Sequence, residues 1–321
     1  KIAPLFLGTL IMTEETPVNW FKNGRMVKSG DDNKKHIMTA DGHHVHASVS
    51  VRKLEKRIVR LTAQAIADYG MIREGDKVAV AMSGGKDSYV LLEVLRKLQA
   101  RAPVHFDLIA VHVNQHIPGG PTPTVEKYLK TAGVPYHIED QDTNAIIEKL
   151  IPSGKNVCSL CARLRRGILY RVARELGCTK IALGHQMDDV VSTLLLNMFY
   201  GGRLKAMPPV LFSDDHNNTV IRPLIYVREY ENLKWAKIQG YELAPKDLCG
   251  AGENKKRREI KELMETWDKQ YDSRIYNLFM STTRVSPSQL ADKTLYDFFN
   301  RTGGGLRPAD VTAPGADEDD E

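Results

Sequence analysis

The sequence is poor in cysteine and in long apolar stretches, and each shortage excludes a class of protein. Four cysteines in 321 residues do not make a disulfide framework, so we expect a reducing compartment. No run of eighteen apolar residues occurs after position 12, which argues against a membrane span. The apolar opening 1–12 is short and no small-residue cleavage site follows it, which disfavours a secretory signal. These absences predict a cytoplasmic protein without a membrane partner.

Two common phosphate-binding motifs are also missing, namely the Walker P-loop and the G-x-G-x-x-G dinucleotide fingerprint. Between an apolar segment and an amphipathic one stands a different glycine loop, Ser83-Gly84-Gly85-Lys86-Asp87-Ser88. A buried strand, a glycine turn and a helix start in this order place backbone N–H groups and a lysine where phosphates bind. The loop therefore predicts a site for a polyphosphorylated ligand.

Strand and helix patterns alternate along the middle of the chain. The predicted strands are 77–82, 106–113, 136–139 and 180–183, and the predicted helices are 51–69, 89–100, 124–132, 160–176 and 188–199. This alternation implies right-handed crossovers and a parallel sheet. We predict an α/β fold with a doubly wound parallel sheet, helices on both faces, and ligands at the carboxyl ends of the strands.

Composition divides the chain into four parts. We predict an N-terminal extension over 1–49 that is partly irregular, a nucleotide domain over 50–230, a C-terminal helical region over 231–300, and a disordered acidic tail over 301–321. Because the tail is acidic, the net charge of +5 understates the basic character of the rest, which suits an anionic polymer. The four histidines of the extension, His36, His43, His44 and His46, are expected in a flexible, exposed stretch.

A second motif, Gly184-His185-Gln186-Met187-Asp188-Asp189, follows the predicted strand 180–183 and opens a helix. Two acids beside a phosphate loop suit Mg²⁺, which takes a few carboxylates together with phosphate oxygens. The alternative is that Asp188 only caps the helix. Taken alone, the motif favours this capping role.

The cysteines supply a third motif. Cys158 and Cys161 form C-x-x-C at the start of a predicted helix, and Cys249 stands alone in a turn-flanked segment. Zinc would need a fourth ligand. Three cysteines and an open position suit an iron–sulfur cluster, and a dithiol redox pair is a further alternative. Cys178, at the entry to a strand, is expected to be a small buried hydrophobe.

Several segments together resemble the tRNA 2-thiocytidine synthetase family of the PP-loop ATP pyrophosphatases over about residues 50–300. They are Ser83–Ser88, 158–170, Gly184–Asp189, 196–202, 206–209, 221–224, 228–229, 248–250 and 267–269. The sequence departs from the family at Lys246, where some relatives have cysteine, and at Asn114, where aspartate is usual.

The resemblance implies an ATP- and Mg²⁺-dependent enzyme that adenylates the 2-oxygen of cytidine 32 in tRNA and replaces it with sulfur. It also implies a [4Fe-4S] cluster held by Cys158, Cys161 and Cys249, a cysteine desulfurase as sulfur donor, and a homodimer. The implied ATP contacts are Ser83–Ser88, Val111, His112, Val113, Gly184 and His185. Lys86, Asp87 and Asp189 are the implied catalytic residues, the two acids also being candidates for Mg²⁺.

Two basic clusters flank the cysteines, and arginine suits bidentate contact with phosphate. They are Arg163, Arg165 and Arg166 beside the C-x-x-C motif and Lys255, Lys256, Arg257 and Arg258 after Cys249. We expect both to bind tRNA phosphates, although a solvated helix face is nearly as good an interpretation for the second. Two other functions stay open: another PP-loop enzyme of the 2-thiouridine or lysidine synthetase type, and a zinc-stabilised RNA-binding module without catalysis.

Overall fold

The structure, a computed structural model, describes residues 20–22, 25–26, 36–38, 44–46, 48–150, 158–213, 217–244, 255–271, 273–299 and 302–303. The predicted ligand Cys249 and most of the acidic tail lie outside these residues. The side chains of residues 21–47 and of Cys158 also lie outside the description, while the backbone of Cys158 is part of a helix.

Two short antiparallel hairpins precede the main body. Their strands are β1 (Phe21–Lys22), β2 (Arg25–Met26), β3 (His36–Met38) and β4 (His44–His46). His36 pairs with His46 across the second hairpin, with Ile37 opposite Val45. Three of the four histidines thus lie on paired strands rather than in the irregular stretch that we expected, since β-branched residues beside them favour a strand. His43 lies outside the described residues.

A six-stranded sheet forms the centre of the fold, in the order β7-β6-β5-β8-β10-β9. Its strands are β5 (Lys77–Ala81), β6 (Asp107–Asn114), β7 (Tyr136–Asp140), β8 (Lys180–Ala182), β9 (Val210–Phe212) and β10 (Thr219–Ile221). Five strands are parallel and the edge strand β9 is antiparallel to β10. The middle residues of β5, Val78 to Val80, are fully buried, as expected of a central strand covered on both faces.

Nine α-helices lie in the described part of the chain. They are α1 (Val49–Asp68), α2 (Lys86–Gln99), α3 (Thr122–Ala132), α4 (Thr143–Leu150), α5 (Cys158–Glu175), α6 (Met187–Gly201), α7 (Glu229–Gln239), α8 (Lys255–Gln270) and α9 (Arg274–Ser281). A short 3₁₀ helix (Pro287–Gln289) and the paired strands β11 (Tyr296–Asp297) and β12 (Thr302–Gly303) follow. No helix among the described residues is long and apolar enough to cross a membrane.

Helices cover both faces of the sheet, which confirms the predicted fold class. On one face Leu169 and Val172 of α5 pack with Ala79 and Ile181 of the central strands. The opposite face carries the larger core, to which α1, α2, α6 and α7 contribute. Buried residues of α1 recur every three or four positions, as at Ile58, Thr62 and Ile66, because only one stripe of the helix meets this core.

Candidate active site

The phosphate loop connects the carboxyl end of β5 to the start of α2. Gly85 is the N-cap of α2, and no side chain of the cap accepts a hydrogen bond from the first turn. The N–H groups of this turn therefore face the loop, where an anion binds most favourably. Ser83 Oγ accepts from the Gly85 N–H at 3.3 Å, and Ser88 Oγ donates to the Gly85 carbonyl at 2.8 Å. Both hydroxyls thus hold the turn itself.

Gly84 is required by close packing as well as by its backbone conformation. Its φ of +80° lies in the region that side chains disfavour, and an added Cβ would stand 2.4 Å from the Cβ of Pro121. The Gly84 carbonyl also accepts a hydrogen bond from the Ala244 N–H at 3.0 Å. The segment that leads on to Cys249 therefore starts from the phosphate loop.

Lys86 lies between two carboxylates. Its Nζ is 2.9 Å from Asp87 Oδ2 and 3.1 Å from Glu229 Oε1. Burial acts to lower the pKa of Lys86, but Asp87 and Glu229 offset this and raise the pKa above its ordinary value. Burial raises the pKa of Asp87, an effect that Lys86 and Asn232 reduce in part. Lys86 is therefore a fixed positive charge at the helix start.

Asp189 reaches the same place from α6. Gln186 is the N-cap of α6, and Asp189 Oδ2 accepts from the Gln186 N–H at 2.9 Å in a capping box. The cap is therefore not Asp188, as the alternative interpretation held. Burial raises the pKa of Asp189 to about 7, and the nearby carboxylates Asp87 and Glu229 add to this rise. Such proximity of acids is the arrangement that a divalent cation stabilises.

The raised pKa of Asp189 predicts a specific pH dependence of stability. Because the folded state holds this proton up to about pH 7 and the unfolded state releases it near pH 4, folding stability falls as pH rises between these values. Between pH 5 and pH 8 this loss amounts to about 2.7 kcal/mol of unfolding free energy, and Asp189→Asn should remove it, as measured by urea unfolding at both pH values without nucleotide. Glu229→Gln should lower the pKa of Asp189, so the fall in stability should occur at lower pH. If the free energies of unfolding of wild type and Asp189→Asn differ by the same amount at both pH values, the prediction is wrong.

The phosphate loop and the second motif, Gly184–Asp189, meet at Gly184. A Cβ at this position would lie 3.1 Å from the carbonyl carbon of Asp87, so the backbone of the second motif packs directly on the phosphate loop. Both motifs follow neighbouring strands, β5 and β8, whose carboxyl ends lie at one edge of the sheet. The structure thus brings Lys86, Asp87 and Asp189 together, as the sequence predicted.

Helix α7 contributes residues that sequence reasoning did not assign. Asn232 is fully buried, and its Nδ2 donates to Asp87 Oδ1 at 2.9 Å and to Gln186 Oε1 at 2.7 Å. Arg228 holds Asp188, 3.1 Å from its Nη2, and also bonds Asp268. The only sequence signal was that 228–229 and 267–269 lie among the segments of the resemblance. These residues connect the two motifs and hold their carboxylates in place.

Val111, His112 and Val113 lie on β6 beside the phosphate loop. The Val111 carbonyl accepts from the Met82 N–H at 2.8 Å, so it holds the loop strand. His112 is buried; its Nδ1–H donates to the Met82 carbonyl at 2.7 Å, and its Nε2 lies 2.9 Å from Thr122 Oγ1. Burial lowers the pKa of His112, so the ring is neutral near pH 7. Contact of this segment with adenine stays a prediction.

The C-x-x-C motif forms the first turn of α5. Cys161 is half-buried, and Gln115, directly after β6, donates its Nε2–H to the Cys161 sulfur at 3.4 Å. Cys158 is the first residue of α5, three positions before Cys161. Among the described side chains no three His, Cys, Asp or Glu converge as metal ligands, and the third predicted cysteine, Cys249, lies outside that set.

Cys178 is placed far from this turn. It follows α5 and precedes β8, so it lies at the amino ends of the strands, whereas Cys161 lies at the carboxyl ends. The part of α5 that runs from Cys161 to Glu175 spans about 21 Å along the helix axis. Cys178 packs against the core formed by Ala79 and Ile181, and burial raises the pKa of its thiol. The prediction of a small buried hydrophobe holds only in part, because Cys178 is half-buried. Its position excludes it as the fourth ligand of a zinc site beside Cys161.

The basic clusters lie on α5 and α8. Arg163 and Arg165 are exposed, Arg166 is half-buried, and Arg165 is close enough to His112 to help lower its pKa. In the second cluster Lys255, Lys256 and Arg258 are exposed and Arg257 is half-buried. The Lys256 ammonium lies 4.8 Å from the centre of the half-exposed Tyr200 ring on α6. Basic and aromatic groups therefore stand together at this surface.

Comparison with known proteins agrees with the resemblance seen in the sequence. A family model described as a PP-loop domain matches residues 52–261. The chain is 54% identical over 258 residues to a tRNA-cytidine(32) 2-sulfurtransferase from Paracidovorax citrulli, covering 80% of this chain and 83% of that protein. It is 57% identical over 246 residues to one from Burkholderia cenocepacia, covering 77% and 74%.

A solved structure supports the fold. The U34-tRNA thiolase NcsA from Methanococcus maripaludis with its [4Fe-4S] cluster superposes with a TM-score of 0.58 at 24% identity, over 73% of this chain and 80% of that one. At this identity the similarity concerns the fold alone. The loop geometry, the family model and the relatives agree, and the chain belongs to the tRNA-cytidine(32) 2-sulfurtransferase family of PP-loop proteins.

Proposed function

We propose that this chain is an ATP-dependent tRNA thiolase that converts cytidine 32 of tRNA to 2-thiocytidine. The observation that carries the proposal is that the phosphate loop and Cys161 lie at the same carboxyl edge of the sheet. The loop follows β5, and Cys161 on α5 accepts a hydrogen bond from Gln115, which follows the neighbouring strand β6. Ala244, bonded to Gly84, leads from this edge to Cys249. In this proposal the domain 50–230 binds ATP, and the region 231–300 supplies the third cysteine.

ATP would bind along the phosphate loop. Ser83–Ser88 would surround the β- and γ-phosphates, and Val111, His112, Val113, Gly184 and His185 would line the nucleoside. The incoming phosphates compete with Asp87 and Glu229 for the Lys86 ammonium, because all are anions within reach of one cation. Asp87, so released, would bind Mg²⁺ together with Asp189, because Mg²⁺ takes a few carboxylates along with phosphate oxygens. Ser88, which now donates to Gly85, would turn to a phosphate oxygen.

The activating step uses the positive charge of the loop. The 2-oxygen of cytidine attacks the α-phosphorus, the bond to the bridging oxygen breaks, and pyrophosphate leaves. Negative charge grows on the departing pyrophosphate, where Lys86 and the first-turn N–H groups of α2 stabilise it. The 2-oxygen, now esterified to AMP, becomes a good leaving group. A sulfur nucleophile then adds at C2, and AMP departs with the original oxygen.

The cysteines fit an iron–sulfur cluster better than zinc. Thiolates are the ligands of such clusters, Cys161 is half-buried beside an N–H donor, and Cys178 cannot complete a four-cysteine site. Cys158, Cys161 and Cys249 would hold the cluster. When bound, a [4Fe-4S] cluster with three protein ligands supplies one iron at which sulfur can be carried. The residues of this chain then orient the activated base toward it.

The partners follow from the reaction. Arg163, Arg165 and Arg166 on α5, with the cluster Lys255–Arg258 on α8, would bind tRNA phosphates around the site. A cysteine desulfurase would supply the sulfur, and the enzyme would act as a homodimer in the cytoplasm.

Anaerobic purification followed by a thiolation assay tests the proposal. We expect a brown protein with bound iron and acid-labile sulfide that forms 2-thiocytidine at position 32 of unmodified tRNA, given ATP, Mg²⁺ and sulfide, with AMP and pyrophosphate released in equal amounts. Mass spectrometry of the digested nucleosides identifies the product. A colourless, zinc-loaded protein that is active without iron would contradict the cluster. Formation of 2-thiouridine or lysidine would identify another PP-loop enzyme, and binding of tRNA without ATP cleavage would indicate a module without catalysis.

A further inference from the structure

We propose that Gln115 is a positioning residue that donates a hydrogen bond to the Cys161 ligand and thereby sets the reduction potential of the cluster. The inference rests on the proposed function, because it assumes that Cys161 binds iron. Gln115 is the first residue after β6 and is buried. No feature of the sequence assigned it a role.

The side chain of Gln115 is held in one orientation. Its Nε2 donates to the Thr143 hydroxyl at 2.9 Å and to the Cys161 sulfur at 3.4 Å. The Gln115 carbonyl accepts from the Asn144 N–H at 3.2 Å, so the start of α4 holds the backbone as well. Thr143 is buried too. Both hydrogens of the amide nitrogen therefore have acceptors, one of them buried and the other half-buried.

This orientation suits a cysteine that binds iron. A thiolate that binds iron has no proton to donate, so only the N–H end of an amide can face it. With the amide reversed, its oxygen would face the negative sulfur and both would repel. The arrangement is therefore prepared for a ligand before iron binds.

The bond has a defined consequence for the cluster. Hydrogen bonds to the sulfurs of an iron–sulfur cluster are one of the factors that set its potential. An N–H donor withdraws negative charge from the thiolate, and this favours the reduced cluster, which carries more negative charge. Burial strengthens the effect because water does not screen it. Gln115 should therefore raise the potential of the cluster and keep Cys161 turned toward it.

Three variants separate this role from a purely structural one. Gln115→Met removes the donor while keeping the length of the side chain. Thr143→Val removes the other acceptor and leaves the bond to Cys161, so it is the matched control. The double variant Gln115→Met with Thr143→Val leaves no buried hydroxyl without a partner, which keeps the design decisive if the single variant is unstable.

The measurement is a redox titration of the reconstituted cluster followed by electron paramagnetic resonance, with iron content determined in parallel. At a potential where the wild-type cluster is half reduced, we expect the ratio of reduced to oxidised cluster to fall about tenfold in both proteins that carry Gln115→Met, or 59 mV for one electron. Thr143→Val should titrate like wild type.

If the iron-loaded double variant has the reduction potential of the wild-type protein, the role of Gln115 is overturned and the proposed function stays intact. An equal shift in Thr143→Val would also overturn it, because the effect would then come from general packing. Failure of the wild-type protein to bind iron at all would overturn the proposed function, and the inference with it.

Discussion

Replacing Lys86 by methionine should lower the rate of ATP-dependent thiolation by about 10²–10³, the usual cost of losing one group that stabilises developing charge. Lys86 is the cation at the start of α2, and it lies within 3.1 Å of both Asp87 and Glu229. Without it, these two acids and Asp189 stand together with no lysine between them and repel the phosphates of ATP. We therefore expect weaker ATP binding in addition to slower chemistry, measured by single-turnover release of pyrophosphate.

Lys97→Met is the matched control for this experiment. Lys97 lies on the same helix, far from the phosphate loop, and it also pairs with two carboxylates, Glu55 and Glu93. Its loss should lower the melting temperature but leave the turnover of the folded protein unchanged. Equal effects of the two substitutions on turnover would show that Lys86 acts through the fold, and our assignment would then be wrong.

Replacing Cys249 by alanine should abolish thiolation while ATP binding persists. The proposed cluster loses one of its three protein ligands, so iron content should fall to background. The phosphate loop keeps its own contacts, including the hydrogen bond from Ala244 to Gly84, which involves only backbone atoms. Iron analysis, nucleoside mass spectrometry and equilibrium binding of an ATP analogue measure the three properties separately.

Cys178→Ala is the control for loss of a thiol. Cys178 packs against the core at the opposite end of α5, so this substitution should cost some stability and leave iron content and thiolation intact. Thiolation that survives in Cys249→Ala would refute the cluster assignment. Loss of ATP binding in the same variant would instead show that the segment after Ala244 forms part of the nucleotide site.

The central fold was predictable because its signals are local. Each predicted strand from 77 to 183 lies within about two residues of an observed one, since buried apolar runs and helical spacing are read directly from neighbouring residues. Helix α2 begins at Lys86, three residues earlier than predicted, because the loop itself enters the helix. The short helix α4 and the strands β9 and β10 were not predicted. Segments of three to eight residues carry too little periodicity to be recognised.

The site was predictable only in part, for a related reason. Motifs that follow strands can be placed at the edge of a parallel sheet from the chain order alone, so Lys86, Asp87 and Asp189 were expected to meet. Asn232 lies 145 positions from Asp87, and Gln115 lies 46 positions from Cys161. No local pattern marks such pairs, because the contact exists only after the sheet and its helices have packed.

By itself the sequence determined the phosphate loop, the cysteine motif and the alternation of strands and helices, all properties of residues close together in the chain. Only the tertiary structure decided how these parts are used. It excluded Cys178 from the cysteine site by placing it at the opposite end of α5. It also placed Arg228, Glu229 and Asn232 in contact with the phosphate loop and with the motif Gly184–Asp189. The physical reason is burial: a carboxylate or a thiol acquires its pKa and its partners from the groups packed around it, and that packing depends on the whole fold.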